Sequence, residues 1–355
     1  MNKSQKPQVS LIIVTYNAEA FIIECLVSVK QLNFNNFETI IIDNASSDKT
    51  CLLIETQFPW VKLIKSVSNT GFAAGVNLGY THAVGEYIAL LNPDTRVDKD
   101  WLGNLVLALD VDEKYGIAAS LMLRWGTKNI DTAGDGCTRT GKGFKIGHNQ
   151  PMDLYQTDRD IFAACGGAVL YKRKLIEEIS FFDSDFFMLH EDTDLGLRSV
   201  LAGWSCRYVH NAVVEHKISA TIGYKTPLAV YHATKNSDMV WLKNMPLPLL
   251  LLTLPEKILN DLAFFLYLGV LHGKYKEFFK AKMYICRNIR YIITKRSIIQ
   301  KNKKITNYQL WKQLTSFLSV QHLRRLWREK RNELTLTKHR RGINTTDNIG
   351  NHTNS

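Results

Sequence analysis

Residues 9–123 alternate short apolar runs with helical stretches, and this pattern narrows the possible fold more than anything else in the chain. VSLIIV (9–14), ETIII (38–42), VKLIK (61–65), EYIALL (86–91) and IAASLML (117–123) are rich in β-branched and aliphatic residues. Between them lie helical patterns reaching Val29, from about Asp48 to Phe58 ahead of Pro59, from about Phe72 to Val84, and from Lys99 to about Asp112. A strand that is apolar on both sides must be covered on both faces. Helices in the connections supply that cover, so the spacing predicts a largely parallel α/β sheet. Ligands of such sheets bind beyond the strand ends, so the residues just after each run carry the most information. Residues 124–160 are irregular, with five glycines between 134 and 147, and are expected to form a loop or hairpin over the site. GGAVLYKR (166–173) resumes strand character and leads into a helix. Glu191–Ala202 reads as a helix, short strands follow at 204–209 and 212–216, and the pattern is helical from about 226 to roughly 335.

The chain has 355 residues and a net charge of +12, which is unevenly spread. Residues 274–341 hold 20 Lys/Arg against three acids, whereas residues 1–272 hold 25 basic and 29 acidic side chains. The length suits one catalytic domain plus an appendage. We therefore expect a catalytic domain over 1–245, a basic amphipathic helical extension over 246–340 and a disordered tail over 341–355. Basic residues interleaved with Phe278, Phe279, Tyr284, Tyr291, Trp311, Phe317 and Trp327 suit an anionic membrane surface. A solvated bundle packed on the catalytic domain is the alternative. A nucleic-acid partner is not expected, because it would leave the carboxylate motifs of the body idle. The longest apolar stretches, Met245–Pro255 and Leu262–Leu271, fall short of the ~20 residues that span a bilayer. Pro246, Pro248 and Pro255 also interrupt the first. The six cysteines form no CxxC pair, which favours reduced thiols over disulfides or a zinc site.

Four strand ends carry polar signatures. Val14-Thr15-Tyr16-Asn17 leaves a buried strand with small polar groups and an aromatic face. In Asp43-Asn44-Ala45-Ser46-Ser47-Asp48, Asp43 is placed to accept an N–H from a pyrimidine base, while Ser47 or Asp48 caps the next helix. In Asn69-Thr70-Gly71-Phe72-Ala73-Ala74-Gly75-Val76-Asn77-Leu78-Gly79, the glycines fall four apart on one helix face and permit close backbone approach. Packing accounts for Gly79, but less readily for Asn69 and Asn77. In Leu91-Asn92-Pro93-Asp94-Thr95, an acid set by a proline turn suits a hard cation bridging two phosphates, although Asn-Pro-Asp alone is usually a turn. Farther on, Asp183, Asp185, Glu191, Asp192 and Asp194 lie among four phenylalanines. A helix start favours acids, but five in twelve residues exceed that need, and an acid in semi-apolar surroundings can act as a general base. His216 at a strand end fits a core histidine as well as a ligand.

Three near-matches fail. Gly136-(x)4-Gly141-Lys142-Gly143 lacks the Ser/Thr of a phosphate loop. His190-Glu191 has Asp194 where a zinc protease needs a second histidine. No GxGxxG opens a helix after a strand.

Together, VTYN, IDNASSD, NTGFAAGVNLG, LLNPDT, CGGAVLYKR, FFMLHEDTDLGLR, VVEH and YHATKN, in that order, resemble the family 2 glycosyltransferases, and especially their rhamnosyltransferase-like branch in bacterial surface-polysaccharide synthesis. The likeness runs from about Val9 to Pro246. It implies a GT-A fold: a Rossmann-like, mostly parallel α/β sheet, here with a C-terminal helical extension. It further implies an inverting, metal-dependent transferase. Thr15, Tyr16, Asn17, Asp43 and Asn44 would line the nucleotide pocket, and Asn69, Asn77 and Asn92 would border the nucleotide-sugar. Asp94 matches the last acid of the Asp-x-Asp metal motif, with Asn92 in place of the first, and His216 would complete a Mg²⁺ or Mn²⁺ site. Asp192, paired with Glu191, matches the catalytic base. Leu189 and Lys235 stand where many relatives carry Tyr and Arg. The expected partners are a nucleotide-sugar, foremost dTDP-rhamnose, and a polyprenyl-diphosphate-linked saccharide. The protein would sit peripherally on the cytoplasmic face of the bacterial inner membrane.

Overall fold

A computed structural model describes residues 6–217 and 226–319. The expected tail at 341–355, and the part of the helical extension beyond 319, lie outside the described residues. The chain runs β1 (Val9–Thr15), α1 (Ile22–Lys30), β2 (Phe37–Asp43), α2 (Thr50–Gln57), β3 (Lys62–Lys65), α3 (Gly71–His82), β4 (Tyr87–Leu91), β5 (Thr95–Val97), α4 (Trp101–Asp110) and β6 (Tyr115–Arg124). There follow β7 (Ile130–Thr132), β8 (Asp135–Cys137), β9 (Gly143–Lys145), β10 (Arg159–Ile161), β11 (Ala168–Lys172), α5 (Arg173–Ile179), α6 (Glu191–Leu201) and β12 (Ser205–His216). Five α-helices follow, α7 (Pro227–Asn244), α8 (Leu247–Phe264), α9 (Tyr275–Arg287), α10 (Ile289–Lys301) and α11 (Asn307–Gln313), with a π-helical segment, Phe265–Val270, continuing α8.

The central sheet has the order β3-β2-β1-β4-β11-β6-β12. Neighbours are parallel except around β11, which runs antiparallel between β4 and β6. The sheet is thus mainly parallel, as the buried runs require. β1 leads through α1 to β2 on one side, while β4 lies on its other side, so strand order reverses at β1 and leaves a crevice beyond the ends of β1 and β4. The two short strands expected at 204–209 and 212–216 are one strand, β12, with a register shift between Val209 and Val213. The glycine-rich stretch holds a β8–β9 hairpin, and the Gly136–Gly143 near-match is simply its two facing strands.

Two apolar layers cover the sheet. Ile13, Leu26, Trp101 and Leu105 belong to one, and Ile12, Val76, Leu195 and Val240 to the other. Ile285, Ile292, Leu310 and Leu314 join the second layer, so the C-terminal helices share its core. Close approach of α3 to β1 needs glycine. A Cβ at Gly75 would lie 2.8 Å from Val14, and one at Gly79 2.5 Å from Ile12. Packing thus explains both residues. Gly79→Val should cost about 2–3 kcal/mol through overpacking, read as a lower denaturation midpoint in urea with unchanged slope.

Candidate functional site

Parallel register sets Thr15 beside Asp43 at the ends of β1 and β2. Both are buried, and the Thr15 hydroxyl donates to Asp43 Oδ1 at 3.1 Å. Asp43 Oδ2 accepts the Ser46 N–H at 3.0 Å. Asn44 donates through Nδ2 to the Gly71 carbonyl at 3.0 Å and accepts the Thr70 N–H at 3.0 Å. Asn69 accepts the Gly71 N–H at 2.9 Å. Asn17, left-handed at φ 49°, accepts the Ser47 N–H at 2.8 Å. These five residues tie three strand ends into one rim, and Tyr16 is 44% exposed beside it. Asp48 accepts both the N–H and the hydroxyl of Thr50 at the start of α2, in keeping with its capping role. Asn77 departs from expectation. Its amide donates to the Phe182 carbonyl at 2.7 Å and accepts the Phe182 N–H at 3.2 Å, so it fastens the acidic segment to α3 rather than facing a sugar.

Across the crevice, the turn after β4 and the end of β12 bring Asp94 and His216 together, with Oδ2 and Nε2 3.4 Å apart. His216 Nδ1 lies 2.8 Å from Asp131 Oδ2, and Asp131 Oδ1 is 2.5 Å from Lys145 Nζ. Burial opposes charge on His216, but hydrogen bonds to Asp131 and Asp94 outweigh it and raise the pKa to about 9. Asp131 is fully buried; that burial disfavours its ionisation, yet the Lys145 and His216 charges hold its carboxyl well below the ordinary range. The donor set fits a divalent cation: a carboxylate and an imidazole nitrogen converge, and once a cation displaced the Nε2 proton, Asp131 would hold the remaining proton on Nδ1. Asp131 and Lys145 were not singled out in the sequence. They lie in the glycine-rich stretch, 85 and 71 residues before His216.

The acidic cluster divides its members by partner. Asp183 pairs with Lys243 at 2.7 Å and Lys295 at 2.6 Å, and Asp185 pairs with Lys295 at 2.8 Å. Asp194 takes Arg198 and Lys243, both at 2.8 Å, together with the Asn244 amide. Lys235 donates to the Asp185 carbonyl. That leaves Glu191 and Asp192 at the start of α6, both lining a cleft of about 560 Å³. Asn92, Asp135, Lys142, Lys145 and Cys165 also line it, as do Phe264 and Leu268 from the C-terminal helices. Thr15, Asp43, Asp94 and His216 are outside its lining, and Lys145 connects the cleft to the His216 group.

Asp192 accepts N–H groups from Thr193 at 2.7 Å and Gly166 at 3.3 Å. Burial nevertheless raises its pKa against those bonds and Lys145. Burial and then the Asp192 charge push both Glu191 and Asp135 to about 8. One carboxylate among neighbours that keep their protons is the arrangement of a general base. A buried Glu191 oxygen has no hydrogen-bond partner, a cost the site carries for holding the pair here.

The turn before α6 is strained. Phe187, Leu189 and His190 are all left-handed, with φ of 62°, 67° and 66°. Such residues cost on the order of 1–3 kcal/mol each and need a surrounding clamp. The clamp is Asn236 on α7. Its Nδ2 lies 2.9, 2.7 and 2.6 Å from the carbonyls of Phe186, Met188 and Leu189. Sequence reading took YHATKN only as a matching motif and missed this role. The available signal was an asparagine spaced three residues after Ala233 and four before Val240, on one helix face.

Residues 10–180 match the model of glycosyl transferase family 2. Two uncharacterized glycosyltransferases of Haemophilus influenzae are 32% and 34% identical over 30% and 27% of this chain. The chain spans only 34% and 40% of their lengths. An N-acetylglucosaminyl-diphospho-decaprenol L-rhamnosyltransferase of Mycobacterium tuberculosis is 24% identical over 59% of this chain and 76% of its own. Among solved structures, S. aureus TarS 1–349 in complex with UDP-GlcNAc superposes with a TM-score of 0.53 at 17% identity, covering 77% of this chain and 79% of that one. GalNAc-T7 with UDP, GalNAc and Mn²⁺ gives 0.54 at 15%, covering 67% and 48%. The fold is that of the GT-A glycosyltransferases. The match to glycosyl transferase family 2 spans residues 10–180, just under half of the chain.

Two outcomes follow from the strained turn and the buried pair. Asn236→Asp keeps the shape but loses the donors. It should lower turnover at least about tenfold, as expected when a supporting bond positions a catalytic group, and leave nucleotide affinity unchanged, as steady-state kinetics and calorimetry would report. The folded pKa of Glu191 lies above the ordinary value near 4.3, so its contribution to stability is complete below that value and is lost as pH rises through about 8. Glu191→Gln should therefore melt higher than the parent at pH 9 and lose that advantage at pH 4.5.

Proposed function

We propose that the protein is an inverting glycosyltransferase that moves a sugar from a nucleotide-sugar to a lipid-linked saccharide. The observation that carries this reading is the pairing of two unlike acidic sites across one sheet edge. One is a carboxylate–imidazole pair at Asp94 and His216, and the other is a desolvated carboxylate at Asp192. Donor binding is assigned to the rim of Thr15, Tyr16, Asn17, Asp43, Asn44 and Asn69, with Asn92 at the cleft. Asn77 is assigned a positioning role instead.

Asp192 removes the proton from an acceptor hydroxyl in the cleft. The resulting oxygen bonds to the anomeric carbon on the face opposite the nucleotide. The bond from that carbon to the diphosphate oxygen breaks, and the nucleoside diphosphate leaves with the electron pair. A Mg²⁺ or Mn²⁺ ion held by Asp94 and His216 would supply positive charge to the diphosphate. Glu191 and Asp135 keep their protons at neutral pH and leave Asp192 as the acceptor of the incoming one.

L-Rhamnose from dTDP-rhamnose is the favoured donor, supported by the mycobacterial rhamnosyltransferase, which covers more of the chain than the Haemophilus relatives. UDP-linked galactose, glucose or N-acetylglucosamine is the alternative. The decaprenol in that relative's name supports a polyprenyl-diphosphate acceptor, and hence a peripheral position on the cytoplasmic face of the bacterial inner membrane in surface-polysaccharide (O-antigen) synthesis. No described helix is long and apolar enough to cross a membrane. We retain 1–245 as the catalytic unit and 246–340 as an extension.

A panel of nucleotide-sugars, assayed for hydrolysis and thermal shift with Mg²⁺ and Mn²⁺, tests the assignment; no shift or turnover with any of them would sink it. Asp192→Asn should reduce transfer by at least about 10²-fold, in line with general-base contributions, while calorimetric donor binding survives. Asp94→Ala should lose Mn²⁺-dependent nucleotide binding, and unchanged affinity with Mn²⁺ would exclude the cation role.

A further inference from the structure

Helix α8 is inside out. Leu247, Leu251, Leu252, Leu254, Ile258, Leu259 and Leu262 are exposed, with Leu251 and Leu252 at 60% and 62%. The same surface continues through Leu266, Val270 and Leu271. Every charged residue of α8 turns the other way. Lys257 and Lys282 each bridge Asp238 and Asp261, at 2.5–2.8 Å, in a closed quartet joining α7, α8 and α9. Glu256 accepts the Ser316 hydroxyl and the Phe317 N–H. Thr253 and Asn260 are buried as well. Ordinary packing does the reverse, and a contiguous aliphatic surface of this kind marks a contact with something apolar.

The flank of that surface is basic. On α9, Tyr275, Phe279 and Met283 are exposed on one stripe. Exposed Lys276, Lys280 and Arg287 lie on the adjoining stripe at 100° per residue. An aliphatic face with a basic edge and no exposed acid on α8 matches the boundary of an anionic leaflet, where alkyl chains meet negative headgroups. A second copy meeting this face with the same face would bring another basic edge against it. Phe264 and Leu268, at the far end of the same helical segment, line the catalytic cleft.

We propose that α8 and the π-helical segment that continues it (Phe265–Val270) lie in the plane of an anionic membrane, with the leucine face among the acyl chains and the catalytic cleft opening at its edge. A lipid-linked acceptor would then keep its chain in the leaflet while its saccharide enters past Phe264 and Leu268; this part rests on the transferase reading. The docking surface is therefore α8 itself, with the basic stretch as its flank.

The test uses the full chain with vesicles of phosphatidylglycerol and phosphatidylethanolamine, against vesicles of phosphatidylcholine alone. The wild type should co-sediment with the anionic vesicles and keep part of that binding at high salt, since apolar burial is not screened. Leu251→Asp with Ile258→Asp should lower partitioning on the order of 100-fold. Both positions are exposed, so the melting temperature should hold or rise. Unchanged vesicle binding in the double variant would overturn the proposal, leaving the basic segments as the anchor. So would a wild-type dimer by light scattering that ignores vesicles and is lost in the variant. Vesicle binding without any nucleotide-sugar affinity would sustain the surface and sink the transferase reading.

Discussion

The candidate site depends on three lysines that do not belong to it. Lys243, Lys295 and Lys235 reach from α7 and α10 to the Asp183–Asp185 segment, and Lys243 also reaches Asp194. Without them, five carboxyl groups in twelve residues would repel one another in a poorly solvated place. With them, Asp183 and Asp194 stay ionised; burial works against this, and the lysine charges win, joined at Asp194 by Arg198. The unmatched acids, Glu191 and Asp192, are pushed up instead. The same cations set geometry. They fix the start of the turn, Asn236 fixes its middle, and α6 begins where Asp192 must stand.

This division of labour explains what sequence could and could not reveal. Strand ends are local: VTYN, IDNASSD and LLNPDT each follow an apolar run, so Thr15, Asp43 and Asp94 could be placed at one sheet edge before any coordinates. The partners that give these residues their chemistry are not local. Asp131 meets His216 because β7 pairs with β6 and β6 with β12, a route no spacing rule encodes. Asn77 misled for a related reason. An asparagine flanking a glycine-lined helix face has two possible listeners, a ligand or a neighbouring backbone, and only the placement of Phe182 decides between them. Asn92 sits at the cleft with a backbone bond to Gly167, which fits the tight approach that Gly167 allows.

The C-terminal helices show the opposite failure, in which a correct feature received the wrong emphasis. Prolines at 246, 248 and 255 look like interruptions of an apolar stretch. Pro246 and Pro248 instead start α8, where missing N–H groups cost nothing, and only Pro255 lies inside it. The helix therefore runs unbroken across a segment that composition alone divides. Its inversion is invisible to hydropathy, because Lys257 and Asp261 add the same polarity whether they face water or each other.

Those two observations bear on one another. A buried quartet of two lysines and two aspartates is a poor source of stability, since desolvating four charges offsets most of their attraction. It is a strong source of orientation. Rolling α8 to hide its leucines would pull Lys257 and Asp261 out of the quartet and leave Asp238 and Lys282 only each other in a half-buried place. The quartet thus keeps the apolar face outward in a protein that would otherwise bury it. The same logic governs the turn at Phe187–His190, where Asn236 holds a strained backbone open to the cleft. In both places buried polar groups are spent on holding a surface in a conformation that packing alone would not choose.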